Sequence, residues 1–160
     1  MAVLQSLELI NPSLDDTQQA PHARDINYWM RPTFVVPLKA LAAGADDTYG
    51  AFVAPCKLQI RAAYVVDVDG DRAADGSNYR TFAVVNKGSA AGETTTMASV
   101  NTSVTGLTQY VPREMTVATA QADQIVERGE AVIVTSTHAA SGVAQGEGMV
   151  VIICKPVMER

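Results

Sequence analysis

Apolar residues in this chain come in short β-prone runs closed by turn residues, and that punctuation limits what it can fold into. The clearest run is Leu58, Ile60, Ala62, Tyr64 and Val66, alternating with Gln59, Arg61, Ala63 and Val65. A period of two puts the first set on one face of a strand, so these five are the expected core positions. Further runs cover Thr33–Leu38 and residues 49–53, 79–86, 111–117, 131–136 and 149–154. Pro37 places the first at an edge or a strand end. The last is apolar without a break and suits a strand covered on both faces. Residues 93–105 are rich in Thr and Ser, with Met97, Val100 and Val104 among them, and carry the weakest signal. The chain holds 20 Val and 14 Thr against 8 Leu. Branched side chains are stiff at χ1 and fit a pleated surface, whereas helix cores lean on Leu. About eight strands without regularly alternating long helices predict an all-β fold, a single β-sandwich of jelly-roll type.

At 160 residues the chain has the length of one domain. Residues 32–160 are expected to form the sandwich and residues 1–31 an extended N-terminal arm. The arm has apolar residues at Leu4, Leu7 and Leu9, a polar stretch, and then the cluster Tyr28, Trp29 and Met30, which includes the single Trp. Such a segment cannot build its own core, so these six residues are expected to be interface anchors.

Twelve Lys and Arg against 17 Asp and Glu give a net charge of −5. Nucleic-acid binders carry a basic footprint, so no nucleic-acid partner is expected. No apolar run reaches the length of a membrane span, and no membrane partner is expected. The first six residues lack the basic start of a secretory signal.

The richest ligand-like segment is the acidic loop with Asp67, Asp69, Asp71 and Asp75, since hard cations take oxygen ligands. Its Asp-x-Asp-x-Asp start matches a calcium loop. Gly70, however, stands at loop position four instead of six, and position twelve is Asn78 where a bidentate Glu is needed. The expectation is therefore no bound metal and a turn-rich loop facing water. Cys56 and Cys154 lack the spacing of a zinc or redox site and read as buried structural thiols, with their pairing open. His22 and His138 have no ligand-like neighbours, and a Cys56–His138 dyad has no nucleophile motif around it. The Gly-rich segment 142–148 lacks the Lys-Ser/Thr pair of a phosphate loop and reads as a connection into the last strand. Glu127 and Arg128 read as a surface charge pair at a turn. Neither a cofactor nor a catalytic residue is expected, and the chain reads as a non-enzyme. Tyr79 and Tyr110 are the aromatic residues that a sugar-binding loop tip would use.

The order of these segments resembles a known group. An alternating strand in residues 58–68 leads into the acidic loop 69–78 and the strand 79–86. After a polar stretch come Ile125-Val126-Glu127-Arg128-Gly129-Glu130-Ala131-Val132-Ile133-Val134 and then a Gly-rich turn into residues 149–153. This layout, over residues 57–154, resembles small jelly-roll proteins of tailed-phage particles, in particular head decoration (cement) proteins. The resemblance implies a multicopy, non-enzymatic protein on the virion's capsid surface, assembled in the host cytoplasm. Its implied partners are the major capsid protein and itself, as a homotrimer with arms reaching neighbouring subunits. An alternative is another virion component, such as a tail adaptor or the head domain of a receptor-binding fibre. A cupin-type enzyme or binding module would need a His cluster that the two isolated histidines do not supply.

Overall fold

The computed structural model describes residues 31–157, and the fold they form is almost entirely β. Among the described residues ten strands follow in order: β1 (Thr33–Leu38), β2 (Asp47–Val53), β3 (Leu58–Asp67), β4 (Arg80–Asn86), β5 (Thr95–Asn101), β6 (Arg113–Glu114), β7 (Thr116–Val117), β8 (Ile125–Val126), β9 (Ala131–His138) and β10 (Gly148–Pro156). One 3-10 turn, Ala122–Gln124, precedes β8. The arm anchors Leu4, Leu7, Leu9, Tyr28, Trp29 and Met30 lie outside the described residues.

Two antiparallel sheets form a sandwich. One runs β1-β10-β3-β6, with β8 also paired to β3; the other runs β2-β9-β4-β5-β7. The first sheet contributes Val36, Leu38, Leu58, Ile60, Ala63, Val65, Val150, Ile152 and Cys154 to the core. The second contributes Phe82, Val84, Met97, Ala98, Val132 and Val134. These side chains are removed from water, the dominant favourable term in folding. Few of them are large, so the two sheets are glued mainly by valine, isoleucine and alanine.

A β-bulge reverses the expected facing of β3. Ile153 pairs with Ala62 and Cys154 with Ile60, which leaves Arg61 as an extra residue on β3. An added residue shifts every later side chain to the other face. Leu58 and Ile60 therefore point inward as expected, but Ala63, Val65 and Asp67 replace Ala62, Tyr64 and Val66 as the buried set. Met97 is likewise an extra residue on β5, between the pairs Val84–Ala98 and Val85–Thr96, and both Met97 and Ala98 are buried.

Two further expectations are corrected. Residues 111–117 are not one strand: Arg113 and Glu114 pair with β3, whereas Thr116 and Val117 pair with β5. The chain changes sheets at Met115, whose N–H donates to Ala63 O at 2.8 Å and whose side chain is buried. The last strand is not equally covered on both faces. Val150, Ile152 and Cys154 are fully buried, while Met149, Val151 and Ile153 on the other face are half-buried.

The two sheets are linked at both of their long edges. At one, Phe34 of β1 stacks on Phe52 of β2 with ring centroids 3.7 Å apart, joining the two sheets. At the other, Met115 fills the corner as the chain crosses over. Met115→Ala should therefore lose about 2–5 kcal/mol of stability, the range for emptying a buried methionine site. Urea unfolding would read it, and a loss below about 0.5 kcal/mol would mean that the corner collapses around the shorter side chain.

Candidate functional site

The strand directions bring the connections 39–46, 68–79, 102–112 and 139–147 to one end of the sandwich. Binding residues in β-sandwiches sit on such loops, held by a rigid scaffold. Here two arginines fasten the four loops together.

Arg80 begins β4 and is only 1% exposed. Its Nη1 donates to Ala45 O at 2.9 Å and to Ser136 Oγ at 3.0 Å, and its Nη2 donates to Val143 O at 2.9 Å. Its backbone N–H donates to Thr102 Oγ1 at 3.0 Å. One guanidinium thus reaches two loops, and its own backbone reaches a third. Burial pushes the pKa of Arg80 down while the nearby Asp46 carboxylate pulls it up. Gln145 completes the network. Its Oε1 accepts from the Ser136 hydroxyl, and its Nε2 donates to Lys39 O at 2.8 Å and to Tyr49 Oη at 3.1 Å.

Arg72 performs a similar task inside the acidic loop. Its Nε lies 3.0 Å from Asp67 Oδ2, and its Nη2 lies 3.4 Å from Asp69 Oδ2. Its backbone exchanges two hydrogen bonds with Leu107, at 2.7 and 2.8 Å. The fit around it is close: a Cβ on Gly146 would lie 2.1 Å from Arg72 Nη2, and one on Gly106 would lie 1.9 Å from Arg72 O. At Gly106 the clash is with backbone and only glycine leaves room; at Gly146 a side chain would have to displace the Arg72 guanidinium from its place.

The four aspartates do not converge. Asp67 is bound by Arg72, and its other oxygen accepts the Asp69 N–H at 2.9 Å. Asp71 accepts the Gln109 N–H at 2.7 Å. Asp75 accepts the N–H groups of Ser77 and Asn78 at 2.8 and 2.9 Å, which hold its carboxyl below the usual range. Among the described residues no three His, Cys, Asp or Glu side chains are arranged to hold a metal ion. The loop's acids are spent on folding the loop.

The remaining candidates separate. His138 ends β9 and its Nδ1 lies 2.6 Å from Asp46 Oδ1, which also accepts the His138 N–H at 2.7 Å. Cys56 follows β2 at the opposite end of the strand from Asp47, so it stands a strand length away from His138 and the two form no dyad. Both cysteines are free; the expectation of two buried thiols holds for Cys154, which burial pushes up to about 12, and is corrected at Cys56, which follows the end of β2 and is exposed. Glu127 pairs with Lys57 at 2.6 Å. The turn 127–130 is present, with Glu130 N–H donating to Glu127 O. Tyr79 is half-buried, whereas Tyr110 is 68% exposed.

An open cleft of about 390 Å³ lies at the other end of the sandwich, between Lys57, Asn86, Glu93, Glu127 and Glu130. Its polar groups already hold one another. Glu130 Oε2 accepts from Asn86 Nδ2 at 2.7 Å and from the Glu127 N–H at 2.8 Å.

Arg80, Ser136, Gln145 and Asp46 carry no signal in the sequence, because their partners lie far along the chain. No protein-family model matches the chain, and neither a curated protein nor a solved structure is significantly similar to it.

Two outcomes are expected at this end. Arg80→Met should remove about 3 kcal/mol or more, since it strands buried acceptors that each cost about 1–3 kcal/mol when unpaired. Arg80→Lys should recover only part of that, having no planar fork. Equal urea midpoints for wild type and Arg80→Met would show that the carbonyls rehydrate freely. The second outcome concerns pH. The hydrogen bond from the His138 ring, then that from its backbone N–H, holds the Asp46 carboxyl below its ordinary value. A depressed carboxyl stabilises the fold above its unfolded pKa, and that contribution is lost as the pH falls through the folded value. His138→Ala should therefore raise the Asp46 titration midpoint, as followed by carboxyl NMR shifts. Its melting temperature should differ from wild type near pH 6 and converge with it in acid; a difference that persists in acid would point to lost packing instead.

Proposed function

We propose that this protein is a structural, non-enzymatic virion component that binds the outside of an assembled phage capsid and stabilises it, as decoration or cement proteins do. The observation that carries the reading is the strand order. The sheets run β1-β10-β3-β6 and β2-β9-β4-β5-β7, so the chain steps from one sheet to the other at each of its first three connections. That interleaving supports the jelly-roll assignment, an architecture common among viral capsid domains. The step from architecture to role is an analogy of fold, strengthened by the layout of segments in the sequence.

The physical logic is mass action. A protein that binds the closed lattice better than the free subunits stabilises the lattice. A sandwich whose sheets are linked at both edges and whose loops are bolted by Arg72 and Arg80 offers a rigid body for that purpose. Its net charge of −5 favours solubility and disfavours nucleic-acid contact. The trimer, and the arm anchored by Leu4, Leu7, Leu9, Tyr28, Trp29 and Met30, belong to the same proposal.

The test is the copy number of this chain in purified phage particles relative to the major capsid protein, by quantitative mass spectrometry. A ratio near one to one is expected. A dozen copies or fewer would move the protein to a tail or vertex position, in line with a tail adaptor or a fibre head. Absence from particles would overturn the virion reading.

A further inference from the structure

We propose that the loop 102–112, through Val104, Tyr110 and Val111, is the docking surface of this protein, and that it seats against a protein whose apolar depression is rimmed by lysine and arginine. The inference rests on the reading above and specifies which face of the sandwich meets the shell.

Three observations converge on this loop. The first is clustering. Five large apolar residues are exposed among the described residues, and three of them lie here: Val104 at 87%, Tyr110 at 68% and Val111 at 52%. Single exposed apolar side chains are ordinary on a protein surface, whereas three on one loop concentrate apolar surface there.

The second is preorganisation. Tyr110 has φ of 60°, a left-handed conformation that a side-chain-bearing residue keeps only where its surroundings impose it. Here they do. The Tyr110 N–H donates to Asp67 O at 2.8 Å, and Gln109 Nε2 donates to Val68 O at 2.9 Å. Arg113 reaches back to the carbonyls of Thr105, Gly106 and Asn101. The exposed side chains therefore stand on a backbone that is already ordered, and binding through them forfeits little loop entropy.

The third is charge. Residues 102–112 contain no charged side chain; the loop they are stitched to, 67–78, carries four aspartates against Arg72, and with Arg113 folded back onto the loop the surround is still net negative. An uncharged apolar contact beside a net negative rim selects a partner with the opposite arrangement.

The experiment titrates labelled protein onto purified shells of the encoding phage that lack this chain. Tyr110→Asn is the primary variant, because Asn tolerates the left-handed backbone and removes the ring. Val104→Thr is the second, and Val53→Thr on β2 is an exposed control. Melting temperatures identify any variant that fails to fold. Expected are a loss of about tenfold in affinity for Tyr110→Asn, a smaller loss for Val104→Thr and none for Val53→Thr. Wild-type binding should also weaken severalfold between about 50 and 300 mM salt. Equal affinity of wild type and a folded Tyr110→Asn overturns the docking surface and leaves the decoration reading standing. So does a glycan on an array that binds wild type and not Tyr110→Asn, if shell binding is unchanged. A wild-type chain that does not bind shells overturns both.

Discussion

Every connection from β1 to β4 passes from one sheet to the other, so neither sheet can be completed before its partner. The first described strand, β1, pairs with the last, β10, and β2 pairs with β9. The apolar face of each sheet is thus assembled from the two ends of the domain. Closure at the edges, by the Phe34–Phe52 stack and by Met115 at the sheet-switching corner, keeps the core dry once the faces meet. Topology of this kind is dominated by non-local pairs, whose loop-closure entropy is lost before the contacts form.

The same topology gathers four long connections at one end, and polar chemistry there is directed inward. Arg80 and Arg72 use their donors on loop carbonyls and on Asp67, Asp69 and Ser136. Buried or half-buried polar groups must find partners, and here each loop supplies them to another. What the end presents outward is shape and apolar surface at Tyr110, Val111 and Val104, set beside aspartates. A surface of that character suits contact with a partner, which is the role proposed for it.

The strands were legible in the sequence because burial of one face imposes a period of two on Leu58–Ile60, and because Gly, Pro and Asp mark the turns. The bulge at Arg61 was not, since an inserted residue leaves no local mark in a run where Ala62, Ala63, Tyr64, Val65 and Val66 are all apolar enough for either face. The sheet change at Met115 was hidden for a similar reason: 111–117 has the composition of one strand. The acidic loop was visible as a charge pattern and Tyr110 as a loop aromatic. Arg80 gave no sign of its burial, because an arginine at the start of a strand reads as surface until its distant acceptors are known.

By itself the sequence determined the class of fold: short, branched, alternating runs between turn residues leave little but a β-sandwich. It also determined the acidic balance and the position of the main loops. Tertiary structure alone decided which residues of β3 face the core, which loops share an end, and that Asp67 and Asp69 share Arg72 while Asp71 is held by the neighbouring loop. The reason is the range of the interactions. Periodicity and turn chemistry act between near neighbours in the chain, whereas register, bulges and the arginine clamps join residues tens of positions apart, such as Arg80 with Val143 and Gln145 with Lys39.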